Sequence, residues 1–122
     1  MVIKNILLDK RNNDDIAVIY NDSKYTYNQI YISALKHVNK ICGKSGKNVG
    51  LFIQNSIEYV IGYFAISIAD KVIVPIETNC KENQILSTVE YCELELIITN
   101  SDNFVYLTEI LEGEAKADVE VY

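Results

Sequence analysis

A single histidine, three cysteines, a glycine-lysine loop and a late cluster of carboxylates are the side chains of this sequence whose types could carry chemistry. His37 could shuttle a proton or bind a metal, but no cysteine or carboxylate stands at ligand spacing from it. It reads as a structural histidine at the edge of a helical stripe. Cys42, Cys80 and Cys92 are an odd number with no close pair, so neither a disulfide framework nor a C-x-x-C metal or redox site is indicated. They read as small buried hydrophobes. Lys44-Ser45-Gly46-Lys47 invites a phosphate reading, but a phosphate loop joins a strand to the helix after it. This loop follows a helical pattern and precedes a strand pattern, so it reads as a helix stop. The acidic run Glu109, Glu112, Glu114, Asp118 and Glu120 reads as a solvated face.

Other chemistries lack their residues. There is no G-x-G-x-x-G, no Walker loop and no G-x-S-x-G elbow. A response regulator would need acidic residues at the ends of the first and third core strands, where Ile53-Gln54-Asn55 and Thr99-Asn100 stand. The expectation is that this chain holds no catalytic, cofactor-binding or metal-ligating residue of its own. The nine tyrosines could line a pocket, yet they read as core residues whose hydroxyls reach water.

A chain of 122 residues with 49% hydrophobic content can build one domain with a real core and is too short for two ordinary ones. The formal charge of −6, with eleven scattered basic residues, argues against a nucleic-acid partner. The first fifteen residues hold too short an apolar run for a signal peptide, and Glu58 and Ser67 deny the 56–69 segment a transmembrane role. A cytoplasmic protein without a membrane partner is expected.

The element that organises the chain is Asn55 to Glu77. Asn55 and Glu58 have the spacing of a capping box, and Ile57, Val60, Ile61, Phe64 and Ile68 fall on one helical face. Tyr59, Tyr63 and Ile66 cover much of the rest, which predicts a helix buried on most sides. Val72 to Ile76 is a continuous β-branched run, which reads as a central parallel strand with Pro75 near its end. Upstream, Val2 to Leu8 is a short amphipathic helix, and Ile16 to Tyr20, Asn21 to Lys24 and Tyr25-Thr26 make an antiparallel hairpin. Thr26 with Gln29 forms a capping box for a helix carrying Tyr27, Ile30, Tyr31, Ala34, Leu35, Val38, Ile41 and Cys42, stopped at Gly43. Asn48 to Ile53 is the next strand.

Downstream, Asn79 and Glu82 suggest a helix start before the stripe Ile85, Leu86, Val89 and Cys92. Leu94 to Thr99 is a strand, and Ser101 or Asp102 caps a helix with Phe104, Leu107, Ile110 and Leu111 that stops at Gly113. Ala117 to Tyr122 begins another strand. Strands and helices alternating at this spacing predict an α/β fold: a mostly parallel sheet of βαβ units with flanking helices and a small N-terminal antiparallel hairpin.

Three segments in one order carry a further resemblance. Ile16-Ala17-Val18-Ile19 followed by Tyr25-Thr26-Tyr27-Asn28-Gln29-Ile30 resembles the opening of the AMP-forming adenylating enzymes, which include acyl-CoA synthetases, nonribosomal peptide adenylation domains and luciferases. The family's Thr-Tyr-x-x-Leu element has Ile30 for leucine here. Val49 to Glu58 resembles the family's strand, its Asn-Ser pair and the glutamate beyond. Ala65 to Ile76 resembles its alanine, glycine and valine-proline element, and Leu96-Ile97-Ile98-Thr99 its next strand. Asp70-Lys71 stands where the family usually has glycine, and Gly46-Lys47-Asn48 replaces the usual Gly-Asp lead. The resemblance covers roughly residues 14 to 100.

The resemblance implies that residues 1–122 are one α/β domain, the first subdomain of a longer ATP-dependent, magnesium-using ligase. Such a parent activates a carboxylic acid as an acyl-adenylate and passes it to the thiol of coenzyme A or of a carrier protein. The family's phosphate loop, nucleotide contacts, magnesium-binding glutamate and mobile C-terminal domain lie beyond the matched region. The fragment would then be an inactive scaffold whose partner is the rest of the parent. The alternative is a stand-alone flavodoxin-like binding or interaction module, for which Gln54-Asn55-Ser56 is a thin phosphate-loop candidate.

Overall fold

The structure, a computed structural model, describes residues 3–113 and 120–121. Helix α1 (Ile3–Asp9) leads into β1 (Ile16–Tyr20) and β2 (Ser23–Thr26), then α2 (Tyr27–Cys42), β3 (Asn48–Phe52), α3 (Ile57–Ile68) and β4 (Val72–Pro75). The chain continues through α4 (Glu82–Tyr91), β5 (Leu96–Thr99), α5 (Ser101–Glu112) and β6 (Glu120–Val121). The hairpin β1/β2 is antiparallel, and the main sheet is parallel in the order β4-β3-β5-β6. The α/β expectation with a small N-terminal hairpin is therefore met. Val2, most of the strand expected from Ala117, and Glu114 and Asp118 lie outside the described residues.

Both faces of the sheet are covered. Val49, Leu51, Ile53, Leu96 and Ile98 point to the side of α2 and α3, where Ala34, Ile41, Ala65 and Ile66 complete one core. Phe52 and Ile97 point the other way, to Ile85 and Val89 of α4 and to Leu107, Ile110 and Leu111 of α5. Alternation along a strand thus feeds two cores, which is why β3 and β5 read as continuous apolar runs. The chain steps from β3 to β4 through α3 on one face, then back past β3 to β5 through α4 on the other. Strand order reverses beside β3, and the neighbouring β3 and β5 form a topological switch point.

Local chemistry explains the element ends. Thr26 Oγ1 accepts from the Gln29 amide at 3.1 Å while Gln29 Oε1 accepts from the Thr26 amide at 2.9 Å, the reciprocal box expected from the sequence. Thr26→Ala should therefore cost about 1 kcal/mol, measured by urea denaturation. A loss below a few tenths would mean that the box does not hold the start of α2. The hairpin turns on Asn21 and Asp22, both left-handed at φ 50° and 67°, the two-residue geometry that fits strand twist.

Helix α3 closes on Asp70 at φ 60°, with the Asp70 amide donating to Ser67 O at 3.0 Å and the Lys71 amide to Ile66 O at 3.2 Å. This is the left-handed helix stop usually served by glycine, so Asp70 takes the positive φ and its modest cost. Glu93 at φ 53° ends α4 in the same way, whereas Gly43 and Gly113 stop their helices in right-handed geometry.

Several expectations need correction. Ser56, rather than Asn55, caps α3, its Oγ accepting from the Tyr59 amide at 3.2 Å. Lys81 rather than Asn79 begins α4, with Gln84 Oε1 accepting from the Lys81 amide at 2.9 Å, and Asn100 rather than Ser101 or Asp102 precedes α5.

The buried face of α3 is Gly62, Ala65 and Ile66, whereas Ile57, Val60, Ile61, Phe64 and Ile68 are only half-buried. Small residues let the helix lie close on the sheet, and a Cβ on Gly62 would stand 2.8 Å from Leu51 Cδ1. Strand β4 is an edge strand, with Val72 53% exposed. It nevertheless reads as central because Ile73 packs into the α2/α3 core and Val74 into the α4/α5 core. Its terminal Pro75 sits where an edge strand tolerates a missing donor. Cys42 is exposed, and Cys80 and Cys92 are half-buried rather than fully buried. Among the described residues no tyrosine is fully buried, and Tyr59 and Tyr63 lie side by side, ring centroids 6.3 Å apart, on the flank of α3.

Candidate functional site

In an open α/β sheet, ligands favour the carboxyl ends of strands beside a switch point. Here that place is the rim formed by the ends of β3 and β5. Beyond Phe52 the chain runs Ile53-Gln54-Asn55-Ser56 into α3, and beyond Thr99 it runs Asn100 into α5. Thr99 Oγ1 donates to Phe52 O at 2.6 Å, which ties the two strand ends together. Gln54 Oε1 accepts from Asn103 Nδ2 at 2.9 Å and from Asn100 Nδ2 at 3.3 Å, and Asn103 Nδ2 also donates to Asn100 Oδ1 at 2.8 Å. The side chains of Gln54, Asn100 and Asn103 thus satisfy one another, and with the Thr99 hydroxyl on the Phe52 carbonyl they hold the rim. The clamp is not among the expectations drawn from the sequence, although polar residues directly after two apolar strands are its visible signal.

Two depressions open beside the clamp. One, of about 580 Å³, lies between α2, α3 and the start of α5, with Ile53, Ile61 and Ile98 at its floor and Lys36, His37, Glu58 and Ser101 around it. The other, of about 460 Å³, lies beyond the ends of β3 and β4 and is bordered by Asn55, Tyr59, Pro75, Glu77 and Asn79. His37 thus sits in a groove wall at the edge of its helix stripe, as the sequence placed it.

Burial and the neighbouring Lys36 ammonium hold the His37 imidazole below its ordinary value of 6.5. The folded protein consequently takes up this proton less readily than the unfolded chain. Stability from this group is level above pH 6.5 and falls as the pH drops from 6.5 toward the folded value. An NMR titration of the His37 ring should give a midpoint below 6.5, and a midpoint at or above it would contradict the burial.

The phosphate-loop candidates are engaged otherwise. Ser56 Oγ caps α3 and donates to Gln54 O at 2.9 Å, so Gln54-Asn55-Ser56 is a helix entry rather than an open nest of amides. In Lys44-Ser45-Gly46-Lys47, the carbonyls of Lys44 and Gly46 face inward to accept from Lys71 Nζ at 2.7 and 2.9 Å. Ser45 Oγ lies 3.3 Å from a Glu95 carboxylate oxygen, and a Cβ on Gly46 would meet that carboxylate at 2.5 Å. A loop whose carbonyls surround a cation is built to hold an ammonium, not a phosphate.

Glu120 lies 2.5 Å from Lys40 Nζ and 3.3 Å from Lys44 Nζ. The hydrogen bond from Lys40 holds its carboxyl below the usual range, desolvation works the other way, and the nearby Lys44 ammonium adds to the lowering. Glu120 therefore leaves the solvated acidic face expected of it, while Glu109 and Glu112 stay exposed.

The whole architecture recurs in known proteins. Residues 8–121 match the family model described as AMP-binding enzyme. The chain is 24% identical over 111 residues to 4-hydroxybutyrate--CoA ligase 2 of Metallosphaera sedula, covering 88% of this chain and 20% of that relative. Its fold superposes with a TM-score of 0.84 on the nonribosomal peptide synthetase FmoA3, solved with alpha-methyl-L-serine-AMP bound, at 17% identity, over 100% of this chain and 14% of that one. It superposes with a TM-score of 0.70 on the N-terminal subdomain of NpsA from Klebsiella oxytoca, at 20% identity, over 82% of this chain and 28% of that one. The chain spans about a fifth of the length of the matched ligase. Since the family match runs from the end of α1 to β6, through the hairpin, both cores and the strand-end rim, the chain belongs to the AMP-binding family of AMP-forming adenylating enzymes.

Proposed function

We propose that the chain is the first subdomain of a longer ATP-dependent ligase, one that activates a carboxylic acid as an acyl-adenylate, releases pyrophosphate and passes the acyl group to a thiol of coenzyme A or a carrier protein. The observation that carries this reading is the family match along residues 8–121 in a chain covering 20% of a CoA ligase. These residues supply scaffold: two apolar cores around a parallel sheet, and a strand-end rim whose polar groups already bond to one another.

On this reading the family's ATP and magnesium are held outside these residues. No group of three or more His, Cys, Asp or Glu among the described residues is arranged to hold a metal ion, and the one glycine-lysine loop turns its carbonyls to Lys71. Both would be held by other parts of the parent, and this chain would contribute no catalytic or cofactor-binding side chain. The parent would work in the cytoplasm, and no helix among the described residues is long and apolar enough to cross a membrane.

Two measurements test this. The isolated chain should give no ATP-pyrophosphate exchange with any carboxylic acid, and exchange would overturn the scaffold role. The native reading frame should continue past the codon for Tyr122 and reach a Ser/Thr/Gly-rich loop with a lysine. A stop codon there would overturn the parent reading.

A further inference from the structure

The charge of this chain is divided between the two faces of its sheet. Helix α2 carries Lys36 and Lys40 and no carboxylate, whereas every charged side chain from Glu82 to Gly113 is acidic. On the face of α4 and α5, Glu82, Glu90, Asp102, Glu109 and Glu112 are all exposed. Acids alone would make a solvated face. The same face also exposes three successive large apolar residues, Phe104 at 43%, Val105 at 64% and Tyr106 at 46%.

Their order along the helix is specific. Asp102, Val105, Tyr106, Glu109 and Glu112 recur at intervals of three or four residues, so they share the outer stripe of α5. Leu107, Ile110 and Leu111 are already buried on the sheet, so the helix needs no further layer to cover its core face. Val105 and Tyr106 are thus an apolar centre with acid on either side along the helix. The Tyr106 ring is stacked on Phe52 at 6.5 Å, so little rotamer freedom is left to lose when a partner covers it.

A permanent neighbour meets a surface depleted of charge, whereas a small apolar centre with a charged rim is the anatomy of an interface that forms and separates. Charge then selects the occupant. A second copy offering the same stripe would set acid against acid, and an anionic bilayer would be repelled in the same way. A helix with basic residues beside its apolar stripe would satisfy both parts of the face.

We infer that the outer stripe of α5 docks an amphipathic helix of a separate protein, with its apolar side on Val105 and Tyr106 and its lysines or arginines against Asp102, Glu109 and Glu112.

The test uses the ¹⁵N-labelled 122-residue protein and three capped peptides. The first repeats Lys-Leu-Ala-Gln-Leu-Ala-Lys twice, the second has serine for leucine, and the third has glutamate for lysine. At low salt the first should shift the amides from Asp102 to Glu112 and saturate below roughly a millimolar. The serine and glutamate peptides should each bind on the order of tenfold more weakly, the glutamate gap closing at high salt. Val105→Ser should weaken the first peptide by about tenfold and leave the rest of the spectrum unchanged, because that side chain is exposed. Glu109→Lys with Glu112→Lys should narrow or reverse the preference for lysine over glutamate. Equal binding of the serine peptide would show a merely charged surface and overturn the inference. Shifts spread over Asp14, Asp15 and Asp22 would overturn it too, as would self-association of the protein or adsorption to phosphatidylcholine vesicles through the same α5 amides.

Discussion

Phe52→Ala should lower stability by about 3–5 kcal/mol, a large share of the 5–15 kcal/mol or so that holds a typical domain together. Phe52 is fully buried at the end of β3, its ring stacked on Tyr106 at 6.5 Å and packed among Ile76, Ile85 and Leu107. Removing the ring leaves a cavity bounded by the sheet and two helices, and elements fixed at both ends relax into such a space only partly. The same residue's carbonyl accepts the Thr99 hydroxyl at 2.6 Å. The damage should therefore reach the strand-end rim: side-chain amide signals of Gln54, Asn100 and Asn103 should broaden or shift even in conditions where the variant stays folded. Urea denaturation followed by circular dichroism gives the first quantity and ¹H-¹⁵N spectra the second. A loss under about 1 kcal/mol would show that α4 and α5 are not packed on the sheet as described.

A pair of substitutions on α3 should separate its two faces. Ile66→Ala should cost about 2–5 kcal/mol, because Ile66 is fully buried against the sheet. Phe64→Ala, although it removes a larger side chain, should cost distinctly less, since Phe64 is only half-buried and packs edge-on against Tyr63 at 6.0 Å. The order matters more than either value. Chemical denaturation of the two variants side by side measures it, and a greater loss for Phe64→Ala would mean that the large apolar face, not the small one, lies on the sheet. The arrangement found here depends on Gly62: with no Cβ, it lets the backbone of α3 sit against Leu51.

That helix shows the limit of reading pattern alone. Its existence and length followed from apolar spacing and a polar start, but the same spacing pointed to Ile57, Val60, Ile61, Phe64 and Ile68 as the buried face. The contact face is decided by which side chains permit close approach to a sheet, and Gly62 and Ala65 carry no size signal. The cap moved by one residue for a related reason. Asn55 and Ser56 are both capable N-caps, and the path of the chain from β3 chose Ser56. Strand order was equally silent. Val72 to Ile76 has the composition of a central strand because both of its faces are covered, and coverage of faces says nothing about whether another strand lies alongside.

What the sequence determined by itself is local and periodic: the Thr26-Gln29 box, the hairpin, the alternation of strand and helix, and the ordered segments that mark the family. These follow from forces acting over one turn of helix or one pair of strands, so neighbouring residues suffice to specify them. Only the tertiary structure decided that β3 and β5 lie side by side at the switch point. It also decided that Gln54, Thr99, Asn100 and Asn103 lock their ends, and that Glu120 reaches back across 80 positions to Lys40 and also to Lys44. Those groups are far apart along the chain and carry no mutual signal in it. They meet because two apolar cores must be buried on opposite faces of one sheet, and that requirement belongs to the packed whole.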